Sequence, residues 1–117
     1  KSVGKEHTFE QDQRNPELVI THLSSLVERV MKRAREMGVA GRLGEVKVRY
    51  RGFETHTHGR SISVAMDDET VFNRLARNLF AENVDLERPI RLIGFRLGNL
   101  EMPDTRQITL DLDEDHL

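Results

Sequence analysis

Residues 46–64 read VKVRYRGFETHTHGRSISV. In the first part of this stretch Val46, Val48 and Tyr50 fall on one side and Lys47, Arg49 and Arg51 on the other. A repeat of two residues is that of a strand with one buried face. Gly52 ends or bends the run, and Thr55–Val64, rich in Thr and Ser, is a second strand. The pair reads as a hairpin-like unit with one face for a core and one for water.

Upstream, Gly38, Gly41 and Gly44 bracket a segment that reads as a loop over Val39–Gly44. Before it the period is helical: Val19, Leu23, Leu26, Val27, Val30, Ala34 and Met37 recur at spacings of three and four. Asn15 supplies an N-cap, Pro16 fits the first helical position, and Glu17 suits the positive end of the helix dipole. Gly38 stops the helix. Residues 6–12 (EHTFEQD) alternate loosely and predict a short strand.

Downstream, Asp67 or Asp68 caps a second helix whose buried stripe is Val71, Phe72, Leu75, Ala76 and Leu79. Pro89 ends the connector. Residues 90–100 form a last strand, with Ile93, Phe95 and Leu97 facing in and Gly94, Arg96 and Gly98 facing out. The order is β-α-β-β-α-β. It predicts an α+β domain over residues 1–100: a four-stranded antiparallel sheet with both helices on one face, in a ferredoxin-like split arrangement. Residues 101–117 read as a flexible tail after Pro103.

The composition narrows the classes. The chain has 117 residues, no Cys and no Trp, with 37% hydrophobic and 32% charged residues. That excludes a transmembrane protein, a disulfide-built module, a thiol enzyme and a cysteine-ligated zinc finger. The polar first residues carry no apolar signal segment, so a soluble intracellular domain is expected. The net charge of −2 hides an asymmetry. Residues 101–117 hold six acids against one base, which leaves the first 100 residues at +3.

With Val46, Val48, Tyr50, Ile62, Val64, Ile93, Phe95 and Leu97 turned to the helices, the other face collects Lys47, Arg49, Arg51, Thr55, Thr57, Ser61, Ser63 and Arg96. Arg60 is expected with them at a bulge near Gly59. Residues 46–66 carry four bases and one acid, Glu54. Cations interleaved with hydroxyls suit phosphate oxygens, and Gly59, Gly94 and Gly98 would let a sugar–phosphate strand approach backbone N–H groups. The scarcity of exposed aromatics argues against base stacking and for duplex backbone, bound without sequence preference. The same pattern also fits a plain solvated sheet face, and both readings stand on pattern alone. His56 and His58 share a strand face but lack a third ligand, so no metal site is expected. No catalytic constellation is visible.

The opening Lys1-Ser2-Val3-Gly4-Lys5-Glu6-His7-Thr8-Phe9-Glu10-Gln11-Asp12, together with Val46–Tyr50, Phe53–Ser63 and Arg88-Pro89-Ile90-Arg91-Leu92-Ile93-Gly94-Phe95, resembles the little finger domain of Y-family translesion DNA polymerases of the DNA polymerase IV class. The resemblance implies a domain that lays its sheet in the major groove and holds template and primer backbones. It places Ser2, Gly4 and Thr8 in the family's opening motif, and Thr55, Thr57, Arg60, Ser61 and Ser63 on its DNA-facing strand. The family's catalytic carboxylates, and the Mg²⁺ they bind, belong to a palm absent from this stretch. No catalysis and no cofactor are therefore expected here. Expected partners are primer–template DNA, the polymerase's own catalytic core and a sliding clamp, in a bacterial, nucleoid-associated cytoplasmic setting with no membrane.

The tail carries a second resemblance. Gln107-Ile108-Thr109-Leu110-Asp111-Leu112 is similar to the bacterial clamp-binding hexapeptide. Gln107 would offer its amide, while Ile108, Leu110 and Leu112 offer apolar anchors. An added edge strand is the other reading of the same residues. From a different class, an interaction domain whose open face or tail docks on the core or clamp is the second functional expectation.

Overall fold

The computed structural model describes residues 1–102. The first helix, α1 (Pro16–Met37), begins where the Asn15 side chain accepts the Glu17 N–H, and ends at Gly38 in the left-handed conformation (φ +71°). The second, α2 (Glu69–Asn83), is capped by Asp68, whose carboxylate accepts the Thr70 N–H at 2.8 Å. Four strands, β1 (Val3–Gln13), β2 (Ala40–Tyr50), β3 (Thr55–Met66) and β4 (Ile90–Glu101), form one sheet in the order β1-β4-β2-β3. Every neighbouring pair is antiparallel. The strands β1 and β2 thus run the same way with β4 between them, and β3 and β4 do so with β2 between. Each helix crosses over one inserted strand, and both pack on the same face.

The core between helices and sheet is apolar throughout. Val19, Leu23, Val27, Val30 and Met31 of α1 and Phe72, Ala76, Leu79 and Phe80 of α2 meet Val46, Val48, Ile93, Phe95 and Leu97 of the central strands. Tyr50 is buried at the rim, where its hydroxyl accepts the Asp85 N–H at 3.0 Å.

Three expectations are corrected. The segment expected as a loop is strand from Ala40 onward. A Cβ at Gly44 would lie 2.7 Å from Leu75 Cδ2, and one at Gly41 would lie 2.6 Å from Leu97 Cγ. These glycines make room for close packing rather than for a turn. The first strand begins at Val3, not residue 6. Val64, expected inside, is 60% exposed. The register passes from Leu43↔Ser61 to Gly41↔Met66, so β3 carries three more residues than β2 across this bulge and the alternation breaks.

Candidate nucleic-acid interface

Residues opposite one another on antiparallel strands share a face. Val46 and Val48 point to the helices, so the intervening residues of β2 point away. Lys47 stands opposite Thr57, and Arg49 opposite Thr55. On the central strand β4, Gly94 lies between Lys47 and Glu6, while Arg96 lies between Glu45 and Gly4. Thr8 is opposite Leu92, and Ser61 opposite Leu43. The uncovered face thereby gathers Gly4, Thr8, Lys47, Arg49, Thr55, Thr57, Ser61 and Arg96. At its centre is an open depression of about 510 Å³ with Gly94 as floor and Glu6, Lys47, Thr57 and Arg96 around it. Ser2 is exposed just ahead of β1, and Ser63 is exposed within the offset stretch of β3.

Arg60 is not on this face. It stands opposite Gly44, whose missing Cβ points at α2, and its guanidinium pairs with Glu82 of α2 at 2.6 Å. The pairing raises the Arg60 pKa and lowers that of Glu82. The expected glycine contribution also changes. At Gly94 the strand β4 is paired on both edges, so Gly94 is a floor without a free N–H donor, whereas Gly98 is paired with β2 alone.

The face is more nearly charge-compensated than the strand pattern implied. Lys47 Nζ lies 2.7 Å from Glu6, and Arg96 is ion-paired with Glu45. Arg51, at the β2–β3 turn, and Arg91 each approach Asp12 at 3.7 Å. Arg49 donates to the Thr55 hydroxyl at 2.9 Å. Sequence reasoning counted acids only within residues 46–66 and missed Glu6, Asp12 and Glu45. Alternation alone assigns Glu45 to the face of Lys47, whereas Glu6 and Asp12 emerge only from the pairing of β1 with β4. Arg91 and the exposed Phe53 were missed as well.

His58 and His56 stand opposite Val46 and Val48, away from the open face. His56 Nε2 lies 2.5 Å from Glu54, which also accepts from Arg88 at 3.1 Å. The hydrogen bonds from Arg88 and His56 pull the Glu54 carboxyl down to about 2. Between β1 and α1 the rings of His7 and His22 stack at 4.4 Å, with Phe9 edge-on to both. Burial, then the charge of His7, lowers the His22 pKa. Among the described residues no three His, Cys, Asp or Glu side chains converge as a metal site requires, and no helix is long and apolar enough to cross a membrane. Gln107, Ile108, Leu110 and Leu112 lie outside the described residues.

A helix-backed antiparallel sheet with one uncovered polar face, floored by glycine and rimmed by hydroxyls and ion-paired cations, defines a small α+β surface-presenting module. The chain belongs to the impB/mucB/samB family C-terminal domain, whose family model matches residues 1–110. Its relatives include the DNA polymerase IV of Methanoculleus marisnigri, 39% identical over 111 residues, and that of Staphylococcus epidermidis, 30% identical over 110. The matches cover 95% and 94% of the chain but 31% of each relative, so it spans about a third of their length. The same fold occurs in an insertion ternary complex of Dbh DNA polymerase (TM-score 0.67, 16% identity, 87% of this chain and 29% of that one). It occurs again in a complex of beta-clamp processivity factor with the little finger domain of PolIV (TM-score 0.62, 18% identity, 89% and 93% covered).

Proposed function

We propose that this chain is the part of a Y-family DNA polymerase that grips primer–template duplex by its sugar–phosphate backbone, without sequence preference. The observation that carries this reading is Gly94. A Cβ there would meet Lys47 Cβ and the Lys5 carbonyl at an ordinary 3.5 Å, so the fold does not demand glycine at the centre of its uncovered face. Glycine within a strand weakens it by roughly 0.5–1 kcal/mol relative to Ala, and marks places where a ligand or another backbone comes close. Around that floor Lys47, Arg49, Arg51 and Arg96 supply charge, while Ser2, Thr8, Thr55, Thr57, Ser61 and Ser63 supply short hydroxyl donors. Gly4 extends the floor toward β1. Contacts of these types read backbone and not base edges, hence the indifference to sequence.

Nucleotidyl transfer, with the Mg²⁺ it uses, we assign to parts of such a polymerase beyond the matched third. Residues 107–112 we assign to recruiting a sliding clamp, after the core domain of residues 1–100. The setting proposed is the nucleoid-associated cytoplasm of a bacterium. One observation favours a second reading, in which the open face docks on the polymerase core: Lys47 and Arg96 already have carboxylate partners.

Fluorescence anisotropy of the 117-residue chain with labelled primer–template duplexes of unrelated sequence tests the choice. Equal binding to each sequence, weakening with salt, is the expected result, because phosphate contacts release counterions. No binding even at low salt would overturn the reading and move the docking surface to the front.

A further inference from the structure

We propose that the tip of the β2–β3 hairpin, around Phe53, is a second nucleic-acid contact, one that takes an unpaired base and its phosphate beside the duplex. The proposal rests on the duplex-holding reading above. Its first support is the backbone. Phe53 has φ +70° while its side chain is 68% exposed. A left-handed conformation is costly for a bulky residue, and this one buries little in return. The turn is closed by hydrogen bonds from Phe53 N–H to the Tyr50 carbonyl (3.0 Å) and from Tyr50 N–H to the Glu54 carbonyl (2.9 Å). The strained residue is therefore held in place, with its ring displayed to solvent.

The second support is the neighbouring strand. Arg49 pairs with Leu92 but Tyr50 pairs with Ile90, so Arg91 is an extra residue in β4. A bulge of this kind re-aims a side chain. Here the Arg91 guanidinium carbon comes within 5.3 Å of the Phe53 ring centroid.

The third support is charge. At the centre of the sheet each cation has its own carboxylate: Lys47 has Glu6 and Arg96 has Glu45. At the tip Arg51 and Arg91 share Asp12, and Arg49 beside them holds a hydroxyl. Three guanidiniums against one carboxylate put the face's surplus positive charge around its exposed aromatic ring. Guanidiniums answer phosphate, whereas the ring offers a stacking surface that duplex, with its bases already stacked, cannot use. The two together fit a single-stranded segment, such as template running on from the duplex.

The test compares two labelled probes on the full 117-residue chain, the same duplex either blunt or with a short single-stranded extension. The extended probe is expected to bind about five- to 150-fold more tightly, the effect of one stacked base worth about 1–3 kcal/mol. Phe53→Asn, a residue that tolerates the left-handed backbone, is expected to abolish that preference and leave blunt-duplex affinity unchanged. Arg91→Gln is expected to reduce it. No preference in the natural sequence, or a preference that survives Phe53→Asn, overturns the proposal. Failure of the duplex reading looks different: the blunt probe is then ignored. In that event binding of oligothymidine that is lost in Phe53→Asn supports the tip site, and absence of such binding overturns it.

Discussion

Replacing two acids should strengthen DNA binding, which is the opposite of what loss of an ion pair usually does to a site. The double variant Glu6→Gln, Glu45→Gln removes the carboxylates that hold Lys47 and Arg96. Each removal leaves one more cation to neutralise a phosphate. With a slope of about 0.9 in log affinity against log salt per neutralised phosphate, two freed cations steepen the dependence by about 1.8. Between 50 and 200 mM salt the double variant is thus expected to lose about twelvefold more affinity than the natural sequence, and to bind more tightly at the lower concentration. The fold should survive. In these pairs the side chains are 34% and 49% exposed (Lys47, Glu6) and 47% and 21% exposed (Arg96, Glu45). Ion pairs this open to water contribute up to about 1 kcal/mol each. Anisotropy titrations on a labelled duplex at several salt concentrations measure the slopes, with thermal melts as the folding control. Glu82→Gln frees Arg60 on the helix side by the same chemistry and should leave the slope unchanged. Equal slopes for natural and double-variant chains, or an equal gain from Glu82→Gln, would refute the assignment of the open face to phosphate.

Four further variants test the floor, the core, the histidine stack and the tail. Gly94→Ala should raise the melting temperature slightly while weakening duplex binding severalfold. Gly44→Ala, whose Cβ would sit 2.7 Å from Leu75 Cδ2, should destabilise by about 1–3 kcal/mol through overpacking; the reverse pattern in melts and titrations would refute the division between floor and core. His22 has a folded pKa below its ordinary 6.5, so the unfolded chain takes up the proton first and stability should fall as pH drops below 6.5. His22→Asn should flatten denaturant midpoints between pH 7 and 5, and an unchanged profile would contradict the burial argument. Gln107→Ala with Leu110→Ala should abolish capture by a bacterial sliding clamp while leaving DNA binding intact, and undiminished capture would remove the tail assignment.

Much of the fold was legible because its signals are local. Asn15-Pro16 and Gly38 bound α1, and the alternation of Val46, Val48 and Tyr50 orients the whole sheet. What was hidden depends on partners distant in the chain. Gly41 and Gly44 read as turn residues because sequence cannot show that Leu97 and Leu75 occupy the space a side chain would need. Strand pattern puts Arg60 on the wrong side because it takes Gly59 for a bulge, where the β2–β3 register in fact runs on regularly, and it puts Val64 in the core because that register breaks beyond Ser61. Of the candidate site, the cations and hydroxyls were legible from period two, but their carboxylates were not. Glu6 reaches Lys47 across β4 from a strand forty-one positions earlier in the chain. The strain at Phe53 was invisible as well, because a Gly-Phe turn gives no notice that the positive φ extends to the second residue.

The salt dependence of the unaltered chain separates what strand pattern suggests from what pairing shows. Lys47, Arg49, Arg51, Arg91 and Arg96 are five cations, and if all five met phosphate unopposed the slope would be about −4.5, a loss of about 500-fold between 50 and 200 mM salt. Glu6, Asp12 and Glu45 lie within ion-pairing distance of four of them. A carboxylate that stays beside its cation repels the incoming phosphate and cancels one released counterion, leaving a net of two. The expected slope is then about −1.8, a loss of about twelvefold over the same range. A slope near −4.5 would mean that the carboxylates swing away when DNA arrives, so that the ion pairs belong only to the free chain. A slope near −1.8 would mean that they remain in place. The face would then orient duplex with pre-ordered side chains, and most of its electrostatic hold would come from the hairpin tip.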